Sequence, residues 1–172
     1  MSTALIIVDI QNDYFPNGKM ELSKPELAAA NAAKVLDWFR KNTKDSVYHV
    51  QHIASDPALG FFLPDTTGAE IHKTVLPLEN ETVVIKNFPN SFLETGLESK
   101  LRENGVTKVV IVGMMTHMCI DATVRAAVDL GFEAVLIEDA CATRDLSYGN
   151  KTVPAEQVHY AFVSALNSMY AN

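Results

Sequence analysis

Three side chains that can do chemistry each follow a short apolar run in this sequence. Asp9 ends the run TALIIVD, Lys86 ends ETVVIK, and Cys119 comes shortly after KVVIVG. Continuous β-branched runs of this kind are typical of strands buried on both faces of a parallel sheet. Ligands bind beyond the carboxyl ends of such strands. We therefore expect an acid, an ammonium and a thiol at one edge of one sheet.

These three groups suit nucleophilic catalysis by sulfur. Cys119 is predicted to lie in the first turn of a helix, where the positive end of the helix dipole lowers the pKa of a thiol. A nearby Lys86 ammonium lowers that pKa further, whereas Asp121 in the same turn slightly opposes the thiolate. Asp9 can take the thiol proton and later activate water. This arrangement favours neighbouring strands for Asp9 and Lys86, and hence the strand order 2-1-3-4-5.

Each of the three residues also has an ordinary structural interpretation. An aspartate at a strand end often caps a loop or helix, and a lysine there is usually solvated. A cysteine near a helix start is usually a small buried hydrophobic side chain. The occurrence of all three at one predicted edge favours catalysis over three unrelated structural roles.

The remaining pattern predicts the elements that position these groups. Strands are predicted at residues 3–9, 46–52, 81–86, 108–113 and 132–139, and helices at residues 25–42, 92–104, 117–130 and 154–170. Alternating strands and helices predict a three-layer α/β/α fold. Its central layer is a doubly wound parallel sheet of five to six strands. The length fits a single domain over residues 1–172. The long irregular connection at residues 53–80 is expected to form a wall of the site.

The composition disfavours several functional classes. Lys and Arg number 14 against 21 Asp and Glu, a net charge of −7, which is unfavourable for nucleic acid and for anionic membrane surfaces. The sequence shows neither a spanning apolar run nor a basic signal-peptide region, and its two cysteines favour a reducing, cytoplasmic location. Nucleotide or flavin binding is disfavoured because no glycine-rich phosphate motif follows a strand.

Four stretches, in chain order, resemble the isochorismatase-like cysteine hydrolases, a superfamily that includes nicotinamidases and N-carbamoylsarcosine amidohydrolases. They are ALIIVDIQNDYF at 4–15, TVVIKNFPNSF at 82–92, VVIVGMMTHMCIDATVRAAVDLGF at 109–132 and VLIEDACATRD at 135–145. The resemblance implies a catalytic triad of Asp9, Lys86 and Cys119. It also implies a cis peptide bond between Met114 and Met115, and an oxyanion hole formed by the backbone N–H groups of Met115 and Cys119.

The resemblance further implies hydrolysis of a C–N bond in a small amide, carbamoyl or lactam compound through a thioester on Cys119. Metal-binding relatives carry Asp-x-His at the end of the second strand. This sequence has Gln51 and His52 in that region, so we expect no metal and no cofactor. Cys119 disfavours the alternative of vinyl ether hydrolysis, as in isochorismatases proper. The complete set of three residues disfavours the other alternative, a non-catalytic domain for ligand binding or assembly.

An apolar pocket with a few polar groups is expected around the triad. The candidate pocket residues are Gln11, Phe15, Phe61, Phe92 and His117. Core packing or local hydrogen bonding is the alternative role for each of them. The expected partner is a small-molecule substrate, and the resemblance implies a homo-oligomer, a dimer or larger. Many relatives continue into another short strand after the last helix, so the presence of a sixth strand stays open.

Overall fold

The structure is a computed structural model that describes residues 2–43, 46–167 and 169–171. Its main sheet consists of β1 (Ser2–Val8), β2 (Val47–His52), β3 (Thr82–Lys86), β4 (Val106–Met114) and β5 (Glu133–Ala142). The α-helices are α1 (Pro25–Asn42), α2 (Leu97–Glu103), α3 (Asp121–Asp129) and α4 (Ala155–Leu166). None of the described helices is long and apolar enough to cross a membrane.

Strand β1 is buried on both faces, as its apolar run predicts. Successive side chains of a strand point to opposite faces of the sheet. Leu5 and Ile7 therefore belong to the core layer under α1, whereas Ala4, Ile6 and Val8 belong to the layer that contains α2 and α3. Helices thus cover both faces of a parallel sheet, and the predicted α/β class is confirmed.

The order of the strands is β3-β2-β1-β4-β5. The predicted order 2-1-3-4-5 is wrong, because β2 lies between β1 and β3 and pairs with both of them. The prediction assumed that Asp9 and Lys86 need neighbouring strands to meet, which neglects the reach of a lysine side chain. The chain crosses from one side of β1 to the other between β3 and β4. The ends of β1 and β4 therefore flank the switch point where ligands bind in such sheets.

A glycine allows β4 to approach β1 closely at this switch point. Gly113 has a φ of +134°, a conformation that other residues rarely adopt. A Cβ atom at this position would clash with the carbonyl group of Val8. The absence of a side chain thus brings the end of β4, and the turn that follows it, against the end of β1.

Several predicted boundaries differ from the structure. Helix α2 begins at Leu97 instead of residue 92, because Glu94 and Gly96 have positive φ angles that interrupt a helix. The predicted helix at 117–130 begins as a π-helical turn, Thr116–Ile120, before α3. A hairpin of β6 (Leu146–Tyr148) and β7 (Lys151–Val153) was not predicted. Within the described residues the main sheet has no sixth strand, although Ala171 forms an isolated bridge with Ala134.

The long connection at 53–80 returns across the carboxyl end of β1. Gln11 and Ile71 form an antiparallel bridge, and the His72 amide donates to the Ile10 carbonyl at 2.8 Å. The Asn12 amide donates to the Glu70 carbonyl at 3.1 Å. The segment therefore covers the edge of the sheet where Asp9 lies.

A carboxylate just before β3 joins three elements of the fold. Glu81 accepts hydrogen bonds from both Arg40 Nε and Arg40 Nη2 at 2.7 Å, and it contacts His49 Nε2 at 2.8 Å. Burial acts to raise the pKa of Glu81. The hydrogen bonds from Arg40, from the Leu78 amide and from His49 outweigh burial and lower the pKa from 4.5 to about 2.

We expect Glu81→Gln to reduce the free energy of unfolding at neutral pH by about 2 kcal/mol, because it removes the anion that pairs with the Arg40 guanidinium. A folded-state pKa below the unfolded value stabilises the protein above about pH 4.5, and this contribution is lost as the pH falls towards 2. Urea unfolding over that range should show a weaker pH dependence in the variant. Glu98→Gln, which affects an exposed pair with Arg102, is the control and should cost below about 1 kcal/mol. An unchanged acid dependence in Glu81→Gln would contradict this assignment.

Candidate active site

The three residues of the predicted triad meet at the carboxyl edge of the sheet. Asp9 directly follows β1, Lys86 is the last residue of β3, and Cys119 lies in the π-helical turn after β4. Asp9 is 0% exposed, Lys86 1% and Cys119 5%. The structure therefore places these groups together in a nearly closed site.

The ammonium of Lys86 lies among four possible acceptors. Its Nζ atom is 2.8 Å from Asp9 Oδ2, 2.9 Å from His52 Nδ1, 3.0 Å from the Phe88 carbonyl oxygen and 3.3 Å from Cys119 Sγ. The side chain of Lys86 reaches past the end of β2 to make these contacts. This reach explains how Lys86 and Asp9 form an ion pair although β2 separates their strands.

The charges of the site control each other's protonation. Burial lowers the pKa of Lys86, but its interactions with Asp9 and Cys119 outweigh burial and raise it above its ordinary value. Burial raises the pKa of the Cys119 thiol, Asp9 raises it further, and Lys86 only partly opposes them. The predicted lowering of the Cys119 pKa is therefore wrong, because burial and Asp9 outweigh Lys86. The resting site holds a neutral thiol beside an ion pair.

One oxygen of Asp9 has no partner that donates a proton to it. Asp9 Oδ1 is buried and accepts no hydrogen bond from the described residues. An unsatisfied buried acceptor is costly. The carboxylate can lower this cost by accepting a proton or a hydrogen bond from a bound water or substrate, as a general base does.

The site also contains a set of groups that resemble metal ligands. Asp9, His52 and Cys119 each offer an atom within 4.8 Å of the others. The Lys86 ammonium contacts all three of these residues. A metal ion would have to displace a buried positive charge, so the residues fit an ammonium and not a metal ion.

The turn that carries Cys119 begins at an unusual peptide bond. The bond between Met114 and Met115 is cis. The Met115 carbonyl accepts hydrogen bonds from the Met118 amide at 3.0 Å and the Ile120 amide at 3.2 Å. Met115 is therefore tied to the same turn as Cys119.

Side chains of β5 and α4 hold this turn from outside. The buried Thr116 hydroxyl is 3.0 Å from His159 Nδ1, and His159 Nε2 is 3.1 Å from Glu138 Oε2. His117 Nδ1 is 2.6 Å from the Thr143 hydroxyl. His117, a predicted pocket residue, thus has one ring nitrogen engaged by the protein.

Gln11 is fully buried and supports the end of β2. Its Nε2 donates to the carbonyl oxygens of His52 at 2.9 Å and Ala69 at 2.8 Å. Its Oε1 accepts from the His52 amide at 2.8 Å. Because both ends of the amide bind the backbone, we assign Gln11 a bracing role and not substrate contact.

The predicted pocket aromatics do not all lie on one side of the molecule. Phe15 stacks on the His72 ring with centroids 3.6 Å apart, in the core layer under α1. Phe61, only partly buried, packs against that layer. Phe92 instead stacks at 6.0 Å on Phe132, which precedes β5 and lies at the opposite end of the sheet. Phe92 packs against the core layer that contains α2 and α3, to which Cys119 also belongs, on the other face of the sheet from Phe15 and Phe61.

Two residues near the triad were not predicted as parts of it. Tyr14 is 1% exposed, and burial, together with the neighbouring Cys119 and Asp9, raises its pKa. His52 contacts Lys86 directly. A polar residue at the end of β2 was the only sequence signal for His52, and nothing in the sequence separated Tyr14 from ordinary core aromatics.

Comparison with known proteins identifies the family of this chain. The Isochorismatase domain family model matches residues 3–165. The chain belongs to the isochorismatase family. It is 59% identical over 171 residues to the uncharacterised isochorismatase family protein YddQ of Bacillus subtilis (strain 168), covering 99% of this chain and 94% of YddQ. As an isochorismatase-like cysteine hydrolase, it shares the hydrolase fold of that family.

Two further similar proteins extend the comparison. A streptothricin hydrolase of Streptomyces noursei is 35% identical over 159 residues, covering 88% of this chain and 55% of the relative. A solved structure from Oleispira antarctica is 50% identical with a TM-score of 0.94, covering 99% of this chain and 91% of that chain. The isochorismatase fold thus extends over nearly the whole chain.

Proposed function

We propose that this isochorismatase family protein is a metal-independent cysteine hydrolase that cleaves a C–N bond in a small amide, carbamoyl or lactam compound. The contacts of Lys86 Nζ with Asp9 Oδ2 at 2.8 Å and Cys119 Sγ at 3.3 Å carry this proposal. They join a base, a cation and a nucleophile in one buried site. The relative named streptothricin hydrolase supports hydrolysis as the reaction class.

The first step proposed is attack by the Cys119 sulfur on the carbonyl carbon. The resting thiol is neutral, so Asp9 takes the thiol proton as the new S–C bond forms. Lys86 stabilises the sulfur while its negative charge develops, because its ammonium lies between sulfur and carboxylate. The backbone N–H groups of Met115 and Cys119 stabilise the tetrahedral oxyanion.

The second half of the reaction returns the protein to its resting state. Asp9 gives its proton to the leaving nitrogen, the C–N bond breaks and a thioester remains on Cys119. Asp9 then takes a proton from a water molecule that attacks the thioester. Cleavage of the C–S bond releases the acid, and the proton from Asp9 restores the thiol.

Vinyl ether hydrolysis of isochorismate is the second candidate function, since the family model carries that name. This reaction needs no covalent bond to sulfur. Ammonia release from a panel of small primary amides and carbamoyl compounds distinguishes it from pyruvate release from isochorismate. We expect amide-dependent ammonia release, and pyruvate release without ammonia release would favour the second candidate.

A substrate-independent test uses iodoacetamide and mass spectrometry. Cys141 is an internal reference, because it is also buried and burial raises the pKa of its thiol to about 12. We expect Cys119 to be alkylated at least about tenfold faster than Cys141, since Asp9 can take the Cys119 proton during attack and the Lys86 ammonium stabilises the developing charge on sulfur. Equal rates, or an unreactive Cys119, would contradict a nucleophilic role.

We also propose that the protein acts on a small molecule in the cytoplasm as a homo-oligomer, a dimer or larger. Both cysteines are free thiols, which supports a reducing compartment. Val83 and Ile85 on β3 are 40% and 50% exposed, as are neighbouring apolar side chains at Leu76 and Leu78, at 53% and 51%. Exposed apolar side chains near a sheet edge support association, which light scattering after size-exclusion chromatography would measure.

A further inference from the structure

His52 is held in place beside the triad although the mechanism above does not use it. Its backbone N–H and C=O both bind the Gln11 side chain, at 2.8 and 2.9 Å. Its half-buried ring packs 5.9 Å from the Phe62 ring. Its Nδ1 atom lies 2.9 Å from Lys86 Nζ. The position of this nitrogen is therefore fixed through both its backbone and its ring.

The direction of the hydrogen bond between Lys86 and His52 follows from their chemistry. An ammonium only donates, so His52 Nδ1 must accept, and the neutral ring carries its proton on Nε2. Burial and the Lys86 charge both lower the pKa of His52, whereas Asp9 raises it less. The charged groups that face His52 thus favour the neutral ring on balance.

The Lys86 ammonium has fewer hydrogens than neighbouring acceptors. It has three N–H bonds, but four acceptors lie within 3.3 Å. The Phe88 carbonyl and His52 accept two of these bonds. The third N–H then faces Asp9 and Cys119, between which the proposed proton transfer takes place.

We propose that His52 is a positioning residue, whose Nδ1 lone pair orients the Lys86 ammonium so that one N–H faces Cys119 and Asp9. This inference rests on the proposed role of Cys119 as the nucleophile. Gln11 supports the same function indirectly, since it holds the backbone of His52. Without the acceptor at Nδ1, the ammonium rotates among its remaining partners and stabilises the developing thiolate less well.

Two substitutions at position 52 separate this role from simple packing. His52→Asn keeps an acceptor oxygen at the branch position of Nδ1 but cannot be protonated, whereas His52→Leu removes the acceptor. With iodoacetamide as the probe, we expect His52→Leu to lower the saturating rate of Cys119 alkylation about thirtyfold at neutral pH, with the half-saturating concentration unchanged. His52→Asn should stay within about threefold of the unmodified protein.

The pH dependence provides a second readout. In the unmodified protein, protonation of His52 removes the acceptor, so the alkylation rate should show an added fall below roughly pH 6.5. His52→Asn should lose this fall, because its amide does not titrate. His72→Asn is the matched control, since burial also lowers the pKa of His72, and it should change neither the rate nor the profile.

The possible results distinguish failure of this inference from failure of the proposed function. Wild-type rates in a folded His52→Leu variant, or a wild-type acid fall in His52→Asn, would overturn the role of His52. If the unmodified protein shows no alkylation of Cys119, the nucleophile itself is misassigned. Thermal unfolding identifies a variant that fails to fold, and if His52→Leu does so, the acid profile of His52→Asn decides.

Discussion

Cys119→Ala is expected to lower C–N bond hydrolysis by about ten-thousand-fold or more, because it removes the atom that forms the thioester. The midpoint of thermal unfolding should change little, since Cys119 is a small side chain whose thiol is neutral in the resting site. Saturation kinetics with the best substrate of the amide panel would measure this loss. The reduction should appear in kcat, because the lost interaction forms during the reaction.

Cys141→Ala is the matched control for this prediction. Cys141 is the other buried free cysteine, and its sulfur lies 3.5 Å from the Ile137 carbonyl oxygen. The same atoms are removed at a position that lacks the Lys86 contact of Cys119. Full activity in Cys119→Ala would exclude covalent catalysis and favour the vinyl ether reaction.

Lys86→Met is expected to destabilise the protein by about 3–5 kcal/mol, because it leaves the carboxylate of Asp9 buried without its cation. Asp9 and Lys86 are both 0% exposed in their side chains and 2.8 Å apart. The double variant Asp9→Asn/Lys86→Met should recover most of the lost stability, since it removes the unpaired charge, but it should remain inactive. Urea unfolding of the unmodified protein, of the single variants Lys86→Met and Asp9→Asn, and of the double variant gives the coupling energy of the pair.

An exposed ion pair provides the comparison. Lys108 and Glu133 are 2.7 Å apart, but their side chains are 33% and 49% exposed. Lys108→Met should therefore cost less than about 1 kcal/mol. A coupling energy near zero for Asp9 and Lys86 would mean that water screens the pair and that the site is more open than its burial indicates.

The meeting of Asp9, Lys86 and Cys119 at one edge of the sheet could be predicted from sequence because it depends on local patterns. Asp9 and Lys86 each end a buried apolar run, and the ends of parallel strands share one edge of the sheet. Helix α1 was predicted with its observed bounds because Pro25 marks the first turn. These inferences require only strand and helix patterns along the chain.

The features that were missed depend on contacts between distant segments. The position of β3 beside β2 depends on pairing between distant strands, which the sequence pattern does not show. The assumption that Lys86 must lie on a strand next to β1 led to the wrong strand order. The raised pKa of Cys119 follows from its burial near Asp9, and a pattern of residue types does not show burial depth. The environment of Phe92 depends on Phe132, which is distant in the chain.

The near-complete burial of Cys119 makes molecular size a criterion of selection. With 5% of this residue exposed, neighbouring side chains must separate before any reagent reaches the sulfur. A compact amide requires a smaller separation of these side chains than a bulky one. Access to the sulfur therefore selects for small molecules before any binding contact forms. A bulky maleimide should therefore lose more of its reactivity towards Cys119 than iodoacetamide does, relative to an unhindered thiol.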